Sequence, residues 1–204
     1  FMIRGDNKFF RTNNALAASP FWADLTTNLP GSGTVRDVET SPFSNNVIWL
    51  IRGNTVYKST NAGVTWSTYS TSLPSITMNC LVADPLSDGG LYLGTDAGVY
   101  YIDNSLSAWI SFDDGLPTNV EVTELEIYHP QGDWVSSRIR AGTYGRGLWE
   151  SDLYDPNNIA PLAFLDVSMD QTEVCSYDTI TLWNNSAYQA TNSNWSITPS
   201  TGVA

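Results

Sequence analysis

The sequence predicts an all-β fold, and three observations carry that prediction. Ser, Thr and Asn, with eight Trp and ten Tyr, take the place of charged residues, which make up only 15% of the chain. Small polar and aromatic residues suit short strands and tight turns better than helices. Trp22, Trp66 and Trp109 recur at a period of about 44 residues. Each period holds four short apolar stretches cut by Gly, Pro, Asn or Asp, too short and too interrupted for helices.

The repeat sets the order of the elements. Trp22-Ala-Asp-Leu-Thr-Thr-Asn-Leu29-Pro30, Trp66-Ser-Thr-Tyr-Ser-Thr-Ser-Leu73-Pro74 and Trp109-Ile-Ser-Phe-Asp-Asp-Gly-Leu116-Pro117 share one Trp-to-Leu-Pro offset. After each Leu-Pro comes an alternating strand that ends at a proline: Val35 to Pro42, Ile76 to Pro85 and Val120 to Pro130. A strand ending near glycine follows, at Ile3-Arg4-Gly5, Ile51-Arg52-Gly53, Tyr92-Leu93-Gly94-Thr95 and Arg140-Ala141-Gly142-Thr143. The third strand reads Phe9-Phe10-Arg11, Val56-Tyr57-Lys58, Gly98-Val99-Tyr100-Tyr101 or Gly147-Leu148-Trp149, and the Trp strand closes the unit. Four strands per unit at this period are the signature of β-propeller blades; a β-sandwich lacks such self-similarity. The Trp is expected to bury its ring between neighbouring sheets.

No Trp strand follows Trp149, so the last blade is expected to lack its outermost strand. Phe1-Met2-Ile3-Arg4 reads as part of a strand, and residues 1–154 as the C-terminal blades of a ring completed by upstream blades of the same protein. Asp155-Pro156-Asn157-Asn158-Ile159-Ala160-Pro161 is a turn-rich linker, 155–161. Residues 162–204 follow a different pattern, with Val174-Cys175-Ser176 and an alternating strand through Trp183, then Asn184-Asn185-Ser186 and Asn194-Trp195-Ser196-Ile197.

Ser59-Thr60-Asn61-Ala62-Gly63-Val64-Thr65-Trp66 resembles the Asp-box, or BNR repeat, with Asn61 at the Asp position. Gly63 stands where the turn needs positive φ. The copies before Trp22 and Trp109 look eroded: Thr12-Asn13-Asn14 lies three residues too far from its Trp, and the third copy lacks the glycine. In Asp-box propellers, which include sortilin-like and xyloglucanase-like members, the turn is structural. Ser59, Asn61, Gly63 and the three Trp residues are therefore read as scaffold. Residues 162–204 resemble the first half of a PKD-type immunoglobulin-like sandwich. Together these features resemble large multidomain proteins of the Bacteroidetes exported by type IX secretion, which implies an extracellular or cell-surface location. In such proteins Asp178-Thr179-Ile180 fits an O-glycosylation pattern at Thr179.

The charge narrows the functional classes. Two lysines, Lys8 and Lys58, and seven arginines stand against 21 acidic residues, a net charge of −12. Nucleic acids and anionic membrane surfaces need a concentrated basic patch, which is missing. No apolar run approaches the ~20 residues of a membrane span, so no membrane insertion is expected. Cys80 and Cys175 have no metal-ligand spacing and read as buried or unpaired thiols in preference to a bridge, with their pairing left open. No metal or cofactor is implied.

No catalytic set stands out. His129 is the only histidine, and no nucleophile motif accompanies it. Arg4-Gly5-Asp6 matches an adhesion tripeptide but is the same strand end as Ile51-Arg52-Gly53. Glycosidase chemistry needs two carboxylates. Asp37, Asp96, Asp113, Asp114, Glu121 and Glu124 are available, yet each reads as a turn former or solvated strand residue. The loops entering the first strand of each unit (31–34, 75–77, 118–121) and the turns between second and third strands (54–55, 95–98, 143–146) form the face that usually meets ligands. There Tyr144 offers a ring to a sugar, Arg146 a forked donor to a carboxylate, and Asp96 an acceptor. The expected role is non-catalytic recognition or scaffolding of polysaccharide or a surface protein. A glycoside hydrolase with most of its carboxylates elsewhere is one alternative, and a structural unit of an adhesin or filament another.

Overall fold

The computed structural model describes residues 1–155 apart from 114, 132, 134 and 135, together with the backbone of 165–167 and 182–184. By its internal contacts the chain divides into two units, Phe1–Leu153 and Tyr154–Ala204. In the first unit every strand pairs antiparallel with the next in sequence within its sheet. The first sheet holds β1 (Met2–Arg4), β2 (Lys8–Arg11) and β3 (Ala23–Asp24). The second holds β4 (Val35–Thr40), β5 (Ile48–Arg52), β6 (Thr55–Ser59) and β7 (Ser67–Thr68). β8 (Met78–Ala83), β9 (Leu91–Thr95), β10 (Gly98–Ile102) and β11 (Ile110–Ser111) form the third, and β12 (Val122–Tyr128), β13 (Arg138–Thr143) and β14 (Gly147–Asp152) the fourth. These are propeller blades in the strand order expected from the repeat. In the second unit β15 (Leu165–Val167) pairs antiparallel with β16 (Leu182–Asn184). The expected sandwich otherwise lies outside the described residues, as do Cys175 and Thr179.

The middle strands carry the core. β5 (Ile-Trp-Leu-Ile-Arg) and β9 (Leu-Tyr-Leu-Gly-Thr) are almost continuously buried, because neighbouring sheets cover both of their faces. Such strands read as apolar runs, whereas a half-exposed strand alternates. Trp49, Ile51 and Val56 of the second sheet pack with Met78, Leu81, Leu91 and Leu93 of the third. Tyr92, Tyr101 and Phe112 stack together, with ring centroids 4.7–6.4 Å apart.

Each repeat Trp sits just before the last strand of its sheet. Trp109 is buried, lies edge-on to Tyr69 of the preceding sheet, and donates its Nε1–H to the Tyr69 carbonyl at 2.6 Å. Trp66 is half-buried against Phe9 of the sheet before it, at 5.9 Å between ring centroids. Trp22 departs from the expectation of burial and is 37% exposed, with no preceding sheet among the described residues to receive it.

The turn before Trp66 is a closed set of hydrogen bonds. Ser59 Oγ accepts from the backbone N–H groups of Asn61 and Gly63 at 3.3 and 2.9 Å, and donates to Asn61 Oδ1 at 3.0 Å. Asn61 Oδ1 also accepts from Thr65 N–H at 2.8 Å. Gly63 has φ +83°, as expected, and a Cβ there would lie 2.7 Å from Phe9 Cε1. Gly63→Ala therefore meets backbone strain and a clash together. It is expected to lower stability by about 2 kcal/mol, read as a lower urea midpoint at unchanged slope.

The turn before Trp22 keeps part of this pattern. Thr12 Oγ1 donates to Asn14 Oδ1 at 2.8 Å and accepts from Asn14 N–H at 3.2 Å. Phe21 N–H donates to Asn14 Oδ1 at 3.0 Å, just as Thr65 does to Asn61. The three extra residues are accommodated with these three bonds kept, while the bonds from Gly63 N–H to Ser59 Oγ and from Asn61 Nδ2 to Thr65 Oγ1 have no counterpart among the described residues. Before Trp109 the turn does differ: Asp103 Oδ1 accepts from the N–H groups of Ser105 and Leu106 at 2.8 and 3.1 Å.

Candidate functional site

The first strands of three consecutive sheets share one irregularity. The register of β4 on β5 slips between Val35 and Asp37, that of β8 on β9 between Met78 and Cys80, and that of β12 on β13 between Val122 and Glu124. One residue per strand is left without a partner opposite it: Arg36, Asn79 and Thr123. A bulge re-aims the side chain it carries. Here three equivalent bulges bring their side chains to one cavity of about 460 Å³, lined by Thr34, Val35, Arg36, Asn79, Glu121 and Thr123.

Asn79 ties the wall together. Its Oδ1 accepts from Arg36 Nη1 at 3.3 Å, and its Nδ2 donates to Asp96 Oδ1 and to the Val122 carbonyl, each at 3.0 Å. Groups from three sheets thus meet on one amide. Asp96 sits in the turn between β9 and β10, with its N–H on the Thr77 carbonyl at 3.1 Å. Hydrogen bonds from the Thr77 and Asn79 side chains hold its carboxyl below the ordinary range, so it stays ionised and accepts. Arg36 is exposed and, among the described residues, makes no ion pair. One N–H is engaged by Asn79, and the rest of the guanidinium fork is open to a ligand. Thr123 Oγ1 donates to the Gly142 carbonyl at 3.1 Å.

Behind the bulges, the first strands carry acids that do not line the cavity. Asp37 clamps two sheets: its Oδ2 accepts from Leu81 N–H and its Oδ1 from Val38 N–H, both at 2.7 Å. Burial nevertheless raises its carboxyl above the usual range. Burial, reinforced by Asp37 and Glu126, pushes Glu39 up to about 7. Cys80 is a free, buried thiol, pushed up to about 12 chiefly by burial, so it is neither nucleophile nor ligand at neutral pH.

The residues singled out from sequence fall on this face in two groups. Asp96 bonds directly to the cavity wall through Asn79, and Glu121 lines the cavity. Tyr144 and Arg146, in the β13–β14 turn, do not line it. Tyr144 is 76% exposed and meets the site through its N–H, which donates to the Glu121 carbonyl at 2.9 Å. Arg36, Asn79 and Thr123 were not singled out, nor were Glu39 and Glu126 among the carboxylates. Asp113 accepts from Ser111 Oγ, and Asp114 lies outside the described residues. His129 has a serine beside it, Ser137, whose Oγ lies 2.8 Å from its Nδ1. Ser137 is buried at 1% exposure, out of reach of a substrate. In the adhesion tripeptide, Arg4 pairs with Asp6 at 3.1 Å.

Neither a family model nor a curated protein sequence matches the chain. Among solved structures it is similar to YCF48 bound to D1 peptide, at 14% identity and TM-score 0.48, over 66% of this chain and 41% of that one. It is also similar to the extracellular domain of the hybrid two-component system BT3049 from B. thetaiotaomicron, at 20% identity and TM-score 0.46, over 60% of this chain and 17% of that one. The chain thus spans less than half of either relative.

Proposed function

We propose that this chain is a non-catalytic recognition and scaffold region of a large secreted or cell-surface bacterial protein, and that it binds an extended polar polymer at the bulge-lined cavity. The observation that carries this reading is the convergence of Arg36, Asn79 and Thr123 from three sheets on one opening. A forked cation, an amide, a hydroxyl and the Glu121 carboxylate side by side suit the hydroxyl- and carboxylate-bearing surface of a polysaccharide. A surface-protein segment is the neighbouring possibility. Tyr144 and Arg146 would extend the contact along the same face, and Asp96 would hold Asn79 in place. The bonds among Ser59, Asn61 and Gly63 support the scaffold half of this reading, because they are closed within their own turn.

A polysaccharide array probed with the intact chain tests this reading. The expected result is retention on an acidic or neutral polysaccharide with no release of reducing ends, weakened tenfold or more by Arg36→Ala, in line with about 1.5–3 kcal/mol for a charged hydrogen bond. Retention indifferent to Arg36→Ala would remove the cavity from the function. Release of reducing ends would transfer the chain to the glycoside hydrolases.

A further inference from the structure

Two opposite charges line the cavity without neutralising each other. Arg36 and Glu121 both reach it, both are exposed, and among the described residues neither forms an ion pair. Asn79 lies between the segments that carry them. Its Oδ1 accepts from Arg36 Nη1 at 3.3 Å, and its Nδ2 donates at 3.0 Å to the carbonyl of Val122, the residue between Glu121 and Thr123. The side chains around the two charges have few donors left. Both N–H groups of Asn79 are used, on Asp96 Oδ1 and on the Val122 carbonyl. The Thr123 hydroxyl proton goes to the Gly142 carbonyl at 3.1 Å. Glu121 and Asp96 are carboxylates and only accept. What remains to donate is the Arg36 fork, with the Thr34 hydroxyl able to serve either way.

On the reading of this cavity as the binding site, we propose that it selects a zwitterionic polysaccharide, with a protonated amino group on one sugar placed at Glu121 and a carboxylate on its neighbour placed at Arg36. The sugar hydroxyls donate to Thr123 Oγ1 and to the free lone pair of Asn79 Oδ1. The wall sorts the other polymers by valence and charge. A polyanion brings repeated carboxylates to one cation flanked by acids, on a chain of net charge −12. A polycation is attracted to the whole acidic surface and has nothing to offer Arg36. An extended peptide brings a carbonyl for every N–H, so part of its backbone would leave water without meeting a donor. A site built to pair specific polar groups rejects the analogue that lacks one, because its own group is then left unmet.

The test measures binding of soluble polymers to the intact chain by calorimetry, at about 0.15 M salt and slightly acidic pH, where a sugar amine is protonated. The probes are hyaluronan, which alternates glucuronate with N-acetylglucosamine, the same polymer after de-N-acetylation, polygalacturonate and chitosan. The de-N-acetylated polymer is expected to bind at least tenfold more tightly than each of the others. Glu121→Gln, which keeps the shape and removes the charge, should abolish that preference, and Arg36→Ala should weaken binding at least tenfold. Circular dichroism of both variants should match the parent, since both side chains are exposed. Failure of the de-N-acetylated polymer to bind would overturn the proposal outright. Equal binding of hyaluronan and its de-N-acetylated form, still lost in Arg36→Ala, would overturn the zwitterion and leave the cavity as the binding site. Binding indifferent to both substitutions would overturn the two together. Chitosan binding as tightly as the de-N-acetylated polymer would assign the effect to bulk charge, and tighter binding of an alternating lysine–aspartate peptide would assign the cavity to a protein segment; either result overturns the proposal.

Discussion

Replacing Trp109 with alanine is expected to destabilise the sheets by about 3–5 kcal/mol, whereas the same change at Trp22 should lower stability by no more than about 1 kcal/mol. The two residues hold the same place in the repeat but not the same surroundings. Trp109 is 6% exposed, joins the core between the second and third sheets, and satisfies its indole N–H on the Tyr69 carbonyl at 2.6 Å. Its removal leaves a ring-sized cavity and an unmet buried carbonyl together. Trp22 is 37% exposed, so truncation there forfeits only partial burial. Trp66 should fall between them, because it packs on Phe9 while its Nε1 is buried without an acceptor among the described residues. Urea unfolding of the three variants, read by far-ultraviolet circular dichroism, gives the order directly. Equal losses at Trp22 and Trp109 would mean that the repeat Trp acts within its own blade, and the inter-sheet packing argument would fail.

The contrast marks what local sequence carries. Strand order was legible because each strand announces itself locally: continuous apolar runs at β5 and β9, glycine turns before β6 and β10, and a fixed Trp-to-Leu-Pro spacing. Burial of a given Trp was not legible, because it depends on a neighbouring sheet. How much of the turn before Trp22 survives its longer spacing was not legible for a related reason. Spacing was taken as the criterion, whereas the bonding set of Thr12, Asn14 and Phe21 tolerates three extra residues between its members.

The cavity was half legible. The face was identified from the repeat, and Asp96 and Glu121 were named on it. Arg36, Asn79 and Thr123 were passed over because they share no chemistry, and a repeat search rewards likeness. A mark was present nonetheless. Val35 and Val38, Met78 and Leu81, and Val122 and Leu125 are apolar pairs three residues apart, where a regular strand would place them two or four apart. A one-residue phase slip at the same point of three repeats is what a bulge leaves in a sequence. The residue after the first apolar member of each pair is the one turned to the cavity.

The acids behind the bulges lead to the second large effect, a stability that falls as pH rises. Glu39 ionises near 4.5 in an unfolded chain and at about 7 in the fold, because burial and then the charges of Asp37 and Glu126 disfavour its anion. Below pH 4.5 both states hold the proton and Glu39 imposes no penalty. Between 4.5 and about 7 the unfolded state releases its proton while the fold retains it, so folding weakens steadily. Above about 7 the penalty is complete. At about 1.4 kcal/mol per pH unit, discounted for the solvent that still reaches this half-buried group, it amounts to about 2 kcal/mol. Glu39→Gln removes the titration and keeps an oxygen for Thr40 N–H, which donates to Glu39 Oε1 at 3.0 Å. The variant should therefore match the parent at pH 4 and exceed it by about 2 kcal/mol at pH 8, with the gain opening through the intervening range. Asp37 titrates in the same sense, raised by burial, but it is common to both proteins and drops out of the difference. Thermal unfolding of the pair at several pH values measures the gain. A gain independent of pH would show that the glutamine acts by packing and that Glu39 is ionised in the fold at ordinary pH.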